Sequence, residues 1–287
     1  GPLEPFDDAL PRRLREVNCP SMLVTDHYHY FETGGENYHV DFTGYESLRG
    51  HENDNWKTHP VALPELNPHG HSMASYERSR QTFRSAAEFP TAKTFAAATR
   101  WAEENAATPD FFLYIDEFDP HEPFMAPPEY LEECEDSGYD GSRLEWPKYG
   151  RWTGSDCELR HIRNRYRAKL RFLDDCLGRF VDRLRALNLY ADTTIILTTD
   201  HGHYLGEHGW IGKPSCDNFN TLFHTPLIIK PAAGLGVRAG GRRVSALSCT
   251  PDVSATIGDL HGLGPTGERY GRSLLPLLRE TAQSVRE

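Results

Sequence analysis

The run Thr199-Asp200-His201-Gly202-His203-Tyr204-Leu205-Gly206-Glu207-His208-Gly209, with Lys213 close behind, carries the residue types best suited to chemistry in this chain. Asp and His side by side suit a divalent cation, the carboxylate as a hard oxygen donor and the neutral imidazole as a nitrogen donor. The glycines let the backbone turn sharply or pass close to a neighbour. The preceding segment, Thr193-Thr194-Ile195-Ile196-Leu197-Thr198, is apolar and β-branched and predicts a buried strand. Asp200 and His201 therefore fall at the carboxyl end of a strand, where open α/β sheets hold their ligands. Both are expected to face one polar cleft. The plain alternative is an Asp that caps the following turn.

Two further groups follow strand-like runs. Asp119-Pro120-His121-Glu122-Pro123-Phe124 comes after Phe111-Phe112-Leu113-Tyr114-Ile115. Proline restricts the backbone of the residue before it, which would hold the His121 imidazole in a fixed direction, ready to donate to an anionic oxygen or a leaving group. Thr25-Asp26-His27-Tyr28-His29 comes after Ser21-Met22-Leu23-Val24. His203 and His208 share the turn of Asp200, with a surface place or a supporting one equally open.

The elements that must position these groups alternate in kind. Residues 7–17 predict a short helix with Leu10, Leu14 and Val17 on one face, and 91–106 a second with Phe95, Ala98, Trp101 and Ala102 inward. Residues 157–187 give the clearest helix, its apolar stripe read as Ile162, Tyr166, Leu170, Leu173, Leu177, Phe180, Leu184 and Leu187, with Cys176 as a buried small hydrophobe. Strands are expected at 21–25, 111–115, 193–199 and 227–229, with edge strands over 238–249 and a helix from Pro251 to Gly262. Residues 30–70 and 129–156 read as irregular excursions. Strands alternating with helices predict an α/β fold, a three-layer sandwich around a mostly parallel central sheet.

The whole composition narrows the function. The chain has 287 residues and a formal net charge of -11, which argues against a nucleic-acid partner, since binding phosphates takes a Lys/Arg surplus. No apolar run approaches the ~20 residues of a membrane span, so no membrane partner is expected. The six cysteines form no Cys-x-x-Cys pair, which disfavours a zinc ribbon or a thioredoxin-like site. Localisation and oligomeric state are left open.

Taken together, the motifs resemble the sulfatase family of the alkaline phosphatase superfamily. The resemblance rests on Thr199-Asp200-His201-Gly202, Gly206-Glu207-His208-Gly209, Lys213, Thr225-Pro226-Leu227-Ile228-Ile229 and His121 in its Pro-flanked segment. It extends to Phe42-Thr43-Gly44-Tyr45, Gly50-His51-Glu52-Asn53-Asp54-Asn55-Trp56, Pro251-Asp252 and Gly271-Arg272-Ser273-Leu274-Leu275-Pro276, over roughly residues 7–280. It implies an alkaline phosphatase-like fold and a metallohydrolase that cleaves small-molecule sulfate esters. It implies Asp200 and His201 as ligands of a divalent cation, Ca2+ first and Mn2+ or Mg2+ as alternatives. It implies His121 and Lys213 as substrate-binding and catalytic groups, and His29 as a third catalytic imidazole. In many relatives a Lys stands where Asp26 stands here.

The resemblance also sets an expectation of incompleteness. The family's opening strand with its Asp-Asp pair and its Cys/Ser-x-Pro-x-Arg motif, whose first residue becomes the formylglycine nucleophile, have no counterpart in this sequence. Cys19-Pro20-Ser21-Met22 lacks the required spacing and the Arg. Residues 1–287 are thus expected to be a partial catalytic domain, N-terminally incomplete, with 235–287 as closing elements. Such a chain is expected to be inactive and poorly soluble alone, with formylglycine supplied by a missing segment. A phosphonate or phosphate ester hydrolase of the same superfamily and a non-catalytic α/β binding protein are the alternatives.

Overall fold

The computed structural model describes residues 2–286 apart from 33–34, 136–137, 217, 238–240 and 265–269. In chain order its elements are α1 (Leu10–Glu16), β1 (Ser21–Thr25), β2 (Gly44–Ser47), α2 (Ala74–Arg80), α3 (Pro90–Glu104), β3 (Phe112–Asp116), α4 (Pro128–Cys134) and β4 (Gly150–Arg151). Then come α5 (Asp156–Ala186), β5 (Ile195–Thr198), β6 (Tyr204–Leu205), β7 (Trp210–Gly212), α6 (Asn220–Phe223), β8 (Leu227–Lys230), α7 (Thr250–Leu260) and α8 (Leu275–Leu278).

The centre is a parallel sheet in the order β2-β1-β3, with Val24 opposite Glu46 on one side and Ile115 on the other. Parallel strands need long connections: residues 26–43 join β1 to β2, and the segment carrying α2 and α3 leads from β2 across to β3. Strand alternation sends Met22, Val24, Leu113 and Ile115 to one face, where they pack with Phe95, Ala98 and Ala102 of α3 and Phe172, Cys176, Phe180 and Leu184 of α5. Outside that cluster α1 touches β1 and α7, and α7 touches α8. Helices, sheet and helices make the three layers. α5 starts at a capping box, with Ser155 Oγ accepting from the Glu158 amide and the Glu158 carboxylate from the Ser155 amide. Among the described residues no helix is long and apolar enough to cross a membrane.

Several sequence expectations need correction. The excursions are not wholly irregular: β2 lies within 30–70 and α4 and β4 within 129–156, while α2 falls outside every expected element. These pieces are short, and tertiary pairing rather than a strong period selects them. The 193–199 strand is not buried. Among the described residues β5 pairs only with β8, antiparallel, and Leu197 and Ile228 are 42% and 59% exposed. An apolar β-branched run specifies a strand but not a neighbour to cover it. Residues 241–249 form no strand, and 238–240 lie outside the described residues.

The stripe on α5 departs from the expected one at one position and includes residues that were not expected. Leu170 is 44% exposed, while Lys169 and Phe172 are buried. Phe172→Ala should therefore cost about 3–5 kcal/mol, whereas Leu170→Ala should stay within about 0.5 kcal/mol, as surface changes do. Urea unfolding midpoints of the two variants check this, and the reverse ranking would return Leu170 to the core.

Candidate active site

The loop after β3 carries His121, and four hydrogen bonds hold it. The His121 amide donates to Phe118 O at 3.1 Å, and the Phe124 amide to Glu145 O at 2.6 Å. Lys169, from the middle of α5, donates to His121 O at 2.6 Å and Pro123 O at 2.8 Å. Its ammonium also pairs with Asp119 at 2.5 Å, with both side chains no more than 5% exposed. Asp119 further accepts from His51 Nε2 at 2.5 Å and from the Thr91 hydroxyl. Burial pushes the Asp119 pKa upward, but Lys169 and His51 outweigh it and hold the carboxyl well below its ordinary range. Burial, with the Lys169 charge, pulls His51 down.

His121 and Lys213 meet directly. Lys213 leaves the end of β7, and its Nζ stands 2.8 Å from His121 Nε2. His121 Nδ1 lies 2.8 Å from Glu122 O. A carbonyl only accepts, so Nδ1 bears the proton and Nε2 offers a lone pair to the ammonium. Burial, aided by the Lys213 charge, pulls the His121 pKa down to about 3. The imidazole is therefore neutral at neutral pH, and Lys213 is the donor of the pair. The expected donation from His121 requires a proton that this tautomer does not hold on Nε2.

Gly212, at φ +82°, has Tyr149 packed so close that no side chain would fit. That approach brings the Tyr149 hydroxyl onto Glu122. The Glu122 carboxylate is 1% exposed, with Oε2 3.7 Å from His121 Nδ1 and 3.6 Å from His203 Nδ1. Burial pushes Glu122 up, but the two imidazoles, the Tyr149 hydroxyl and Lys213 together bring it below its usual range. His203 thus lies inside, its pKa pulled down to about 4 by burial. His208 is outside, stacked on Phe219 at 3.7 Å.

His29 stands on the neighbouring wall. Its Nε2 is 3.5 Å from Glu52 Oε2, and Tyr28 donates to the same oxygen at 3.0 Å. Burial raises the Glu52 pKa to about 7. Phe118 joins the walls: its ring stacks on His121 at 4.2 Å and contacts His27, His29 and His51 at 4.6, 5.6 and 4.7 Å. Asp26 is fully buried and accepts the Phe118 amide at 2.8 Å. It anchors that loop from below and does not take the place of a substrate-facing Lys.

Asp200 and His201 lie together beyond His203. Asp200 Oδ2 is 3.3 Å from His201 Nε2, and Oδ1 accepts the His201 amide at 2.7 Å. The Asp200 carboxylate is 78% exposed, so the pair opens to solvent. Gly202 is required here, since a Cβ would strike the Thr221 carbonyl, and the Gly202 amide donates to Leu222 O at 2.8 Å. Adjacent oxygen and nitrogen donors at this spacing fit two places in the shell of a divalent cation. Among the described residues no third His, Cys, Asp or Glu joins them in a metal-sized cluster.

The sequence reading had not singled out the roles of Lys169, His51, Phe118, Glu52, Glu122 or Tyr149. One signal was available for Lys169: it lies seven residues from both Ile162 and Cys176, on the same helical stripe.

Glu52 yields a test. A carboxyl whose folded pKa lies above its unfolded value contributes stability that is full below the unfolded pKa and lost as pH rises through the folded one. Glu52, with an ordinary value of 4.5 and a folded value of about 7, should lose it across that window. Glu52→Gln should therefore raise stability by roughly 2–3 kcal/mol at pH 8 and change it little at pH 4. Thermal melting at the two pH values checks this, and equal shifts at both would refute the titration.

The chain matches the Sulfatase family over residues 26–263. A multifunctional alkaline phosphatase superfamily protein, PehA of Trinickia caryophylli, is 32% identical over 199 residues, 59% of this chain and 38% of the relative. An N-acetylglucosamine-6-O-sulfatase of Bacteroides thetaiotaomicron is 32% identical over 120 residues, 42% of this chain and 20% of the relative. This chain therefore spans well under half the length of the curated relatives it matches. A phosphonate monoester hydrolase of Silicibacter pomeroyi has the same fold, with a TM-score of 0.70 at 20% identity over 100% of this chain and 64% of that one. With an alkaline phosphatase-like α/β fold and a family match running from Asp26 past α7, the chain belongs to the Sulfatase family.

Proposed function

We propose that this domain forms part of a hydrolase for small-molecule sulfate esters, with Lys213 and His121 as the groups that receive the ester's anionic oxygens. The observation that carries this reading is the 2.8 Å contact between an ammonium and a neutral imidazole. Paired to an imidazole rather than to a carboxylate, Lys213 keeps a positive charge for an incoming anion. Its proton is also the nearest to an oxygen that leaves with negative charge. An anion bound there would raise the basicity of His121 Nε2, so the pair can share one proton as charge develops. Glu122 faces His121 and His203 from beneath and keeps the two rings in place. On the neighbouring wall, His29 beside Glu52 offers a second acid–base pair.

Asp200 and His201 would hold a divalent cation, which when bound polarises a sulfuryl oxygen as a Lewis acid. Ca2+ is the family expectation, with Mn2+ or Mg2+ compatible with the mixed donors. Formylglycine as nucleophile belongs to a Cys/Ser-x-Pro-x-Arg motif, which residues 1–287 do not contain. We read residues 1–287 as a partial catalytic domain, with 235–287 as closing elements.

Phosphonate and phosphate esters are the second reading, favoured by the similarity to a multifunctional superfamily member. A non-catalytic binding protein is the third. Aryl sulfate and phosphonate monoester assays separate them. Residues 1–287 alone should give no turnover even with Ca2+, and the same residues joined to a segment bearing the nucleophile motif should favour the sulfate. Lys213→Ala in that longer chain should lower kcat/KM by roughly 10²–10³, as loss of one charge-stabilising donor does. Turnover by residues 1–287 that Asp200→Ala abolishes would place a nucleophile within this sequence and overturn the account.

A further inference from the structure

The most costly group in the core is the Lys169 ammonium. It sits on the buried stripe of α5, between Ile162 and Phe172. Removing an ammonium from water costs several kcal/mol even after relaxation, and an apolar residue of like size is often as stable or more so. A helix stripe that needs only packing has no use for it. Its three partners show what it holds. Asp119 begins the His121 segment, and the His121 and Pro123 carbonyls bracket Glu122.

The geometry continues outward one bond at a time. With the carbonyls on either side fixed, the Glu122 residue has little freedom to turn. Its carbonyl then points at His121 Nδ1, at 2.8 Å. That contact places the imidazole proton on Nδ1 and leaves Nε2 bare toward Lys213. His51 shares the Asp119 oxygen that Lys169 holds, and Thr91 donates to the other oxygen. The Lys169 side chain is 4% exposed, and besides these partners its ammonium lies 3.5 Å from His51 Nε2, itself buried, so any effect it has on an anion must pass through the loop it holds.

We propose that Lys169 is the positioning residue of this site, clamping the peptide groups around Glu122 from inside the core and thereby setting which nitrogen of His121 faces Lys213. The proposal rests on the reading of His121 and Lys213 as an anion site. The test uses the intact protein and two readouts, the imidazole nitrogen resonances of His121 and titration with inorganic sulfate. The wild type should show one His121 tautomer, protonated at Nδ1, and should bind sulfate. In Lys169→Met combined with Asp119→Asn, which removes both buried charges together, the tautomers should mix. Sulfate affinity should fall about tenfold, the low end of what orienting partners contribute at metal sites.

A folded double variant that keeps the single tautomer overturns the proposal. If wild type binds no sulfate, the anion-site reading fails on its own, and the tautomer comparison still decides the role of Lys169. If the double variant does not fold, the wild-type Lys169 amine decides. A charged ammonium protected from solvent exchange is expected, and a neutral or freely exchanging one overturns the clamp.

Discussion

A buried ammonium must be fully satisfied or the fold does not tolerate it. Lys169, on α5, meets that demand with a carboxylate and two carbonyls, all three from the loop after β3. Through Asp119 the same network reaches Thr91 at the start of α3 and His51 in the segment after β2. The crossover helix, the long helix and the site loop are therefore tied at one point. The pair does not make the protein more stable than a well-packed apolar core would. It narrows the arrangements in which the loop can sit, because any other leaves a charge unpaired in the interior.

That rigidity matters because the chemistry of the site depends on a proton position. His121 is neutral and Lys213 is charged, and their order of donation follows from one carbonyl. Were the Glu122 peptide to rotate, Nε2 would carry the proton and face an ammonium, donor against donor. Phe118 reinforces the arrangement by stacking on His121 while its own amide is held by Asp26. The same ring borders His29 and His51, so the two walls share a stiff apolar divider. Around that divider burial raises Glu52 and lowers His203, while the groups facing Glu122 outweigh its burial and hold it below its usual range.

What the sequence disclosed follows the range of the interactions. Asp200, His201 and Lys213 were legible because a strand, a glycine turn and a cation stand close together in the chain. His121 was legible because the prolines around it restrict its backbone locally. The helix 157–187 was found within a residue at each end, and its face was misread at Leu170 alone. Leu173 and Leu177 border the core as expected, but the buried stripe also takes in Lys169 and Phe172, which had been passed over. A lysine on an apolar stripe is discounted by any reading that weighs residue types one at a time. Glu52, His51 and Phe118 were not found because their roles exist only once the segment after β2 and the loop after β3 are brought together. β5 was taken as buried because its residues prefer burial, and composition does not say what lies beside a strand.

The two sides of the site are therefore built on different physics. The His121 side is fixed from within, by charges in the core that permit one loop geometry. The Asp200 side stands at the end of a half-exposed strand pair and is seated by backbone contact, Gly202 against the Thr221 carbonyl of α6. A carboxylate that is 78% exposed keeps its hydration, and so loses little on its own by being there. Its position gains meaning only from a ligand that needs both of its neighbours, oxygen and nitrogen, at once. On the proposed function, the rigid side would fix where an anion's charge is received, and the open side would admit a cation whose remaining donors come from water, substrate or other protein groups. Precision is thus concentrated at His121 and Lys213, where a displaced proton would change the chemistry.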